Sequence, residues 1–392
     1  MRRFLLPLLF LAACDLYAPP EAADRSPRLA LSERWAQDLT MDASNGAPVF
    51  ADGRLFVGYT IYGTGGQLAA YDASTGSLLW NIDKTGSSLT PVVGDGRVFA
   101  VHDGVRAFDA ATGRRLWSAS FAETVYYATP LYSRGALLVS PDLSGEVVAL
   151  EAATGAVRWK EAYGPAGSTV RGIGEHEGEL YVLYTVPSRH SSYEDLTYLA
   201  VGDAATGVQR RRSGPYATLS SGFASTTMTF YGPHVFFTVY GQGFDLVAVE
   251  RATGAEAWRF ATSRALDRYG PYRAPDVYNG LLLFGNSGDF QGEQPMKVYA
   301  LDPSTGNVVW SAAVPRTRDA TSQARCGTAF FTQSFSSLDG VDVRSGTYVG
   351  NVYRTDFDKK PPLEGYVATA QGTLYYLTRG RVHAAACPDA TP

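Results

Sequence analysis

Asp72 to Trp80 reads DASTGSLLW, and the string returns as DAATGRRLW from Asp109 to Trp117, EAATGAVRW from Glu151 to Trp159, ERATGAEAW from Glu250 to Trp258 and DPSTGNVVW from Asp302 to Trp310. Asp203 to Gly207 and Asp342 to Gly346 repeat the acid-x-x-(Thr/Ser)-Gly half without the tryptophan. Successive acids lie 37, 42, 52, 47, 52 and 40 residues apart. A motif recurring every ~45 residues marks an array of similar supersecondary units. Five of the six tryptophans share one register, which scattered core residues would not do, and only Trp35 stands outside it.

Each unit is built alike. A short apolar run, as in Pro48 to Gly53 (PVFADG) or Pro91 to Gly96 (PVVGDG), ends at an Asp-Gly turn, and a second run follows (Arg54 to Val57, Arg97 to Val101). A third ends on an apolar pair before the acid (Ala70-Tyr71, Ala107-Phe108, Ala149-Leu150, Ala300-Leu301), and a fourth joins the glycine to the tryptophan. Short β-branched and aromatic runs punctuated by Gly, Asp and Pro predict antiparallel strands joined by hairpins. The acid and the Thr or Ser hydrogen-bond the backbone of a tight turn, and the glycine supplies the positive φ that closes it. Four strands in ~45 residues make one blade of a β-propeller.

Blade starts near Pro48, Pro91, Pro130, Gly172, Thr226, Ala274, Ser322 and Gly365 predict an all-β, eight-bladed propeller of four-stranded antiparallel blades. The eighth unit stops before any Gly-to-Trp strand, whereas Trp35 lies in a strand-like run, Arg34 to Leu39, with no turn motif before it. The N-terminal strand is therefore expected to complete the last blade and close the ring, removing exposed edges. Residues 34–388 form the propeller in this reading, and 389–392 a tail.

Composition narrows the function classes. The chain has 392 residues, 45% hydrophobic and 12% aromatic, which excludes disorder. A formal charge of −4 offers no basic field for a nucleic acid, so none is expected as partner. Three cysteines exclude a disulfide-dense scaffold or a multi-cysteine zinc array.

The Asp-x-x-Thr-Gly-x-x-x-Trp repeats resemble the pyrroloquinoline quinone (PQQ)-like propeller family. Within it, a lipoprotein signal followed by one eight-bladed propeller is similar to the BamB-like scaffold lipoproteins of the outer-membrane β-barrel assembly machinery. That resemblance implies a monomeric, periplasm-facing protein that binds envelope proteins and is not an enzyme.

The N-terminus carries the address. Arg2 and Arg3 precede an apolar run from Phe4 to Ala13, a signal peptide of residues 1–13 too short for the ~20 residues of a spanning helix. Leu11-Ala12-Ala13-Cys14 resembles the bacterial lipoprotein signal, in which the cysteine is acylated; two or more acyl chains anchor a protein stably. Residues 14–33 read as the lipidated Cys14 and a flexible tether rich in Ala, Pro and Glu. The resemblance favours the outer membrane, and Asp15, which resembles an inner-membrane retention signal, keeps the inner membrane open.

Catalytic patterns are missing from the sequence. The five histidines, His102, His176, His190, His234 and His383, have no metal spacing, and there is no Gly-x-Ser-x-Gly elbow, Walker loop or Cys-x-x-Cys. Asp356 and Asp358 form an isolated Asp-x-Asp without further calcium ligands. Quinoprotein dehydrogenases share the fold and resemble larger chains holding a quinone and a calcium ion, often beside a disulfide between adjacent cysteines. Cys14, Cys326 and Cys387 are not adjacent. No cofactor and no metal are expected. Repeat alignment puts Cys326 and Cys387 in turns at the same end of neighbouring blades, within reach of a disulfide, with two free thiols as the alternative.

Binding is expected on the face bearing the longer loops, those between second and third strands and between blades. Pro187 to Tyr198 supplies Arg189, His190 and Tyr193; Gln209 to Gly222 supplies Arg210, Arg211, Arg212 and Tyr216; Thr262 to Arg273 supplies Arg264, Arg268, Tyr269, Tyr272 and Arg273. Arg and Tyr are enriched in interface hot spots, and loops on a rigid scaffold carry function. Local pairing with Glu194, Asp195 or Asp267 is the plainer reading of any one of them. The competing class is a ligand or polysaccharide sensor, its central funnel lined by Tyr126 and Tyr127.

Overall fold

The motif turn shows why the repeat has its residues. Asp72 Oδ1 accepts hydrogen bonds from the backbone N–H groups of Ser74 and Thr75, each at 2.9 Å, and the Gly76 N–H donates to the Asp72 carbonyl at 2.8 Å. The Ser74 hydroxyl also donates to Oδ1, at 2.6 Å, and this bond leads those from the Thr75 and Ser74 N–H groups in holding the Asp72 carboxyl down at about 2. Gly76 has φ +77°, and a Cβ there would lie 2.6 Å from the ring of Trp35 in the neighbouring blade. The glycine thus closes the turn and also clears a seat for the tryptophan of the blade before it.

The computed structural model describes residues 27–39, 46–61, 65–83, 85, 90–121, 130–187, 195–216, 227–240, 244–261, 274–286, 296–315, 322–334, 336–354, 363–378 and 380–388. They form eight four-stranded antiparallel sheets, each a meander. Blade 1 has strands Val49–Ala51, Arg54–Ile61, Gly65–Asp72 and Leu78–Ile82. Blade 2 runs from Val92–Gly94 to Arg115–Ser120, blade 3 from Leu131–Ser133 to Val157–Ala162, and blade 4 from Thr169–His176 to Gln209–Ser213. Blade 5 runs from Thr229–Tyr231 to Glu256–Ala261, blade 6 from Asp276–Tyr278 to Val308–Val314, and blade 7 from Ser322–Cys326 to Tyr348–Arg354. Blade 8 has Leu363–Ala370, Thr373–Thr378 and Arg381–Ala386, and its outermost strand is Glu33–Asp38. Trp35 pairs with Ala384 across that join, so the ring closes through the N-terminal strand as the sequence predicts.

The core is divided among the blade junctions. Eight buried apolar clusters each bridge two neighbouring blades, such as Phe99, Val105 and Leu137 between blades 2 and 3. Middle strands are therefore buried along their length, as in Thr373–Thr378, while outermost strands such as Val157–Ala162 are largely exposed.

Tryptophan clasps tie most junctions. Trp35, Trp80, Trp117, Trp159, Trp258 and Trp310 each lie against the motif glycine of the next blade: Gly76, Gly113, Gly155, Gly207, Gly306 and Gly346. Four donate the indole N–H to the carbonyl just after that blade's acid, as Trp117 does to Ala152 at 3.0 Å and Trp35 to Ala73 at 2.9 Å.

Blade 7 has Gly350 at the tryptophan position, and its junction with blade 8 is tied in another way. Cys326 and Cys387 form a disulfide with Cα atoms 5.1 Å apart. Residues 27–32, counted within the tether from sequence, lie along the outermost strand of blade 7. The Leu29 N–H donates to the Asn351 carbonyl at 2.9 Å and the Asn351 N–H to the Pro27 carbonyl at 3.0 Å, while Leu29 and Leu31 pack on the apolar cluster of blades 7 and 8. Gly350, at φ +126°, makes room for them, since a Cβ there would meet the Pro27 carbonyl at 2.5 Å.

Candidate functional site

The structure relocates one third of the expected binding residues. Arg210, Arg211 and Arg212 lie on Gln209–Ser213, the outermost strand of blade 4, and not in a loop. Tyr216 is buried in the cluster between blades 4 and 5, its hydroxyl donating to the Gly254 carbonyl at 2.8 Å. The reason is the repeat register: this strand follows the motif glycine Gly207, where other blades place the strand ending at tryptophan. Arg189, His190, Tyr193, Arg264, Arg268, Tyr269, Tyr272 and Arg273 lie outside the described residues, as do Cys14, Tyr126, Tyr127, Asp356 and Asp358.

Arg211 holds the tryptophan position of blade 4 and substitutes ion pairing for the clasp. Its guanidinium donates to the Arg251 carbonyl, the same station after the acid that the indoles use, and pairs with Glu179 at 3.1 Å. Tyr181 donates to Glu179 at 2.7 Å, and Arg251 reaches Glu177 at 2.8 Å and the Gly232 carbonyl at 2.7 Å. Burial alone would raise the Glu179 carboxyl, but the bonds from Arg211 and Tyr181 overcome it and hold the group below the usual range. On the flanks, Arg210 pairs with Asp203 at 2.5 Å and Arg212 stacks over the Tyr198 ring at 5.2 Å. Beside Arg211 lies an open cavity of about 300 Å³ lined by Glu179, Arg211, Pro233, Arg251 and Ala252. Arg211 and Arg251 are structural parts of the blade 4 and 5 junction, whereas Arg210 and Arg212 stay exposed on blade 4, and the absent tryptophan four residues after Gly207 is the sequence signal for the altered junction.

The larger cavity, about 500 Å³, opens among the innermost strands of blades 1, 6, 7 and 8, with Phe50, Thr90, Asp276, Gln323, Arg325 and Thr369 in its wall. Gln323 is committed to backbone, accepting from the Gly285 N–H at 2.9 Å and donating to the Ala274 carbonyl at 3.2 Å. Arg325 lies over the Tyr278 ring at 4.8 Å and donates to the Gly327 carbonyl. A PQQ–calcium pair needs several hard oxygen ligands on one ion. The described wall supplies one carboxylate, Asp276, and no group of three acid, His or Cys side chains suited to a metal occurs among the described residues. This donor set does not fit that pair.

Fold, repeat and clasp together define a propeller of the PQQ-like repeat class. A family model described as outer membrane protein assembly factor BamB matches residues 31–215, 102–264 and 199–336 in overlapping passes, and the chain belongs to that family. Among solved structures, BamB from Moraxella catarrhalis is similar at 16% identity and TM-score 0.63, over 91% of this chain and 98% of that one. The quinohemoprotein alcohol dehydrogenase ADHIIG from Pseudomonas putida HK5 is similar at 14% identity and TM-score 0.68, over 92% of this chain and 78% of that one. A europium-containing methanol dehydrogenase is similar at 12% identity and TM-score 0.68, over 91% of this chain and 93% of that one. At these identities the likeness is one of fold. No curated protein matches the chain.

Proposed function

We propose that this chain is a lipid-anchored, periplasm-facing scaffold that binds partner proteins in outer-membrane β-barrel assembly. The observation that carries this reading is the BamB family model, which matches residues from 31 to 336. The Cys14 signal agrees with an anchor, and the ring provides a rigid body from which the long loops project. With Arg211 and Tyr216 tied into the blade 4 and 5 junction, the binding role rests on the exposed Arg210 and Arg212, on the loops carrying Arg189, His190 and Tyr193 and on those carrying Arg264, Arg268, Tyr269, Tyr272 and Arg273.

Affinity purification from crosslinked native membranes tests it, comparing the Cys14-intact protein with Arg268→Glu/Arg273→Glu. Enrichment of a barrel-assembly protein, lost in the reversal, supports the scaffold role and the loop face. Recovery of unrelated envelope proteins only would overturn the assembly role. Saturable binding of calcium with PQQ would instead place the chain with the dehydrogenases.

A further inference from the structure

The N-terminal segment enters the folded body at one defined place and in one direction. Arg28 bridges Asn351 in the parallel sense, so the segment runs along the outermost strand of blade 7 in that strand's own direction. That strand starts at the end carrying the motif turn Asp342 to Gly346 and runs away from it. Pro27, the first described residue, thus meets the folded body at the outer rim of blade 7, beside Asn351 in the middle of that strand. Three features fix this docking: the Leu29 and Asn351 backbone bonds, the Asn351 side-chain amide donating to the Pro27 carbonyl at 3.3 Å, and the packing of the half-buried Leu29 and Leu31 against the blade 7 and 8 cluster.

We infer that the rim of blades 7 and 8, where the N-terminal segment docks, is the side of the body held nearest the bilayer, with the rim of blades 3 and 4 held away from it. This rests on the proposal that Cys14 carries the lipid. Twelve residues, and so thirteen residue steps, separate Cys14 from Pro27. Fully extended they reach ~45 Å, and as a coil they span ~20 Å. A body of this length is roughly 50 Å across, so passing the anchor around to the opposite rim would take roughly 80 Å. The leash is too short for blades 3 and 4 to face the membrane. Without the docked segment the leash would start at Glu33 and, six residues longer, would orient the body less.

The test uses the chain from Cys14 onward with a maleimide lipid coupled to the Cys14 thiol, so it reads orientation whether or not cells acylate this residue. Metabolic labelling with palmitate tests native acylation separately, and its failure would remove the anchor while leaving the geometry intact. A clickable unnatural amino acid carries a fluorophore at Arg344, in the blade 7 short turn, or at Ala166, in the connection from blade 3 to blade 4. Both sites are exposed. On neutral phosphatidylcholine vesicles with a headgroup quencher, quenching is expected to be at least threefold stronger at 344 than at 166. Leu29→Ser/Leu31→Ser, with an unchanged circular dichroism spectrum, is expected to bring the ratio toward one. Equal quenching in the parent protein, or stronger quenching at 166, would overturn the inference, as would a ratio untouched by the double substitution.

Discussion

The disulfide between Cys326 and Cys387 sits where the ring lacks a tryptophan clasp, and its removal has a calculable cost. The two cysteines are 61 residues apart in sequence. Cross-linking removes loop-closure entropy from the unfolded chain, and for a loop of this length the chain-entropy relation gives about 4 kcal/mol. A folded body of this size unfolds with an entropy of about 0.7 kcal/mol per kelvin, so the loss corresponds to a fall of about 6 °C in Tm. The perturbation is Cys326→Ala/Cys387→Ala in a Cys14→Ser background, compared with the same background by differential scanning calorimetry without reductant. Dithiothreitol should lower the parent by the same amount and leave the variant unmoved. A fall of less than about 1 °C, or a variant that still responds to reductant, would refute the reasoning, because the docked segment at residues 27–32 would then hold the seam alone.

Other tests address the clasps and the motif turns. Gly53→Ala and Gly155→Ala both place a side chain at positive φ, but only at Gly155 would the new Cβ lie 2.5 Å from Trp117. Urea unfolding should show about 1 kcal/mol lost at Gly53 and at least about 2 kcal/mol more at Gly155. Trp117→Phe leaves the Ala152 carbonyl without its indole donor, whereas the Trp159 indole N–H has no acceptor to lose, so Trp117→Phe should cost about 1 kcal/mol more than Trp159→Phe. Asp72, Asp109 and Asp203 are held below the ordinary carboxylate range by turn hydrogen bonds, and Asp342 chiefly by the Arg344 guanidinium with the turn N–H groups behind it. Folded carboxyls with depressed values stabilise above the unfolded value and lose that contribution as pH falls. Tm should therefore hold from about pH 7 to 4.5 and drop steadily toward pH 2.5, and Asp72→Ala should flatten part of that slope.

The repeat made the fold legible because its residues each answer a local backbone demand: an acid to cap the turn, a glycine to close it, a tryptophan at a fixed distance. The closing strand was legible from a remainder, Trp35 without a motif and an eighth unit without a fourth strand. What the repeat hid was that glycine and tryptophan meet across blades. A linear register shows spacing within a unit and not contact between units. Arg210 to Arg212 misled because charge clusters suggest loops, while the missing tryptophan at Arg211 pointed to an altered junction. Residues 27–32 read as spacer since Pro27 and Arg28 carry little apolar signal, and only the alternation of Leu29 and Leu31 hints at a docked segment. The loop residues expected to bind partners are legible as chemistry alone, since most lie outside the described residues.

Closing the ring with the first strand also sets a timetable. Glu33–Asp38 is made first, yet its partner Arg381–Ala386 is made last; Glu33 and His383, 3.2 Å apart in the finished sheet, are 350 residues apart in the chain. At ordinary synthesis rates that interval is on the order of tens of seconds. Throughout it the opening strand is an orphan, able to pair with a wrong edge or with another chain. Its sequence, ERWAQD, guards against this: charges stand at both ends around a single large apolar residue, an unattractive template for stray pairing. A chain truncated before Arg381 would forfeit the partner for this strand altogether, so the last residues decide whether the first are ever sheltered.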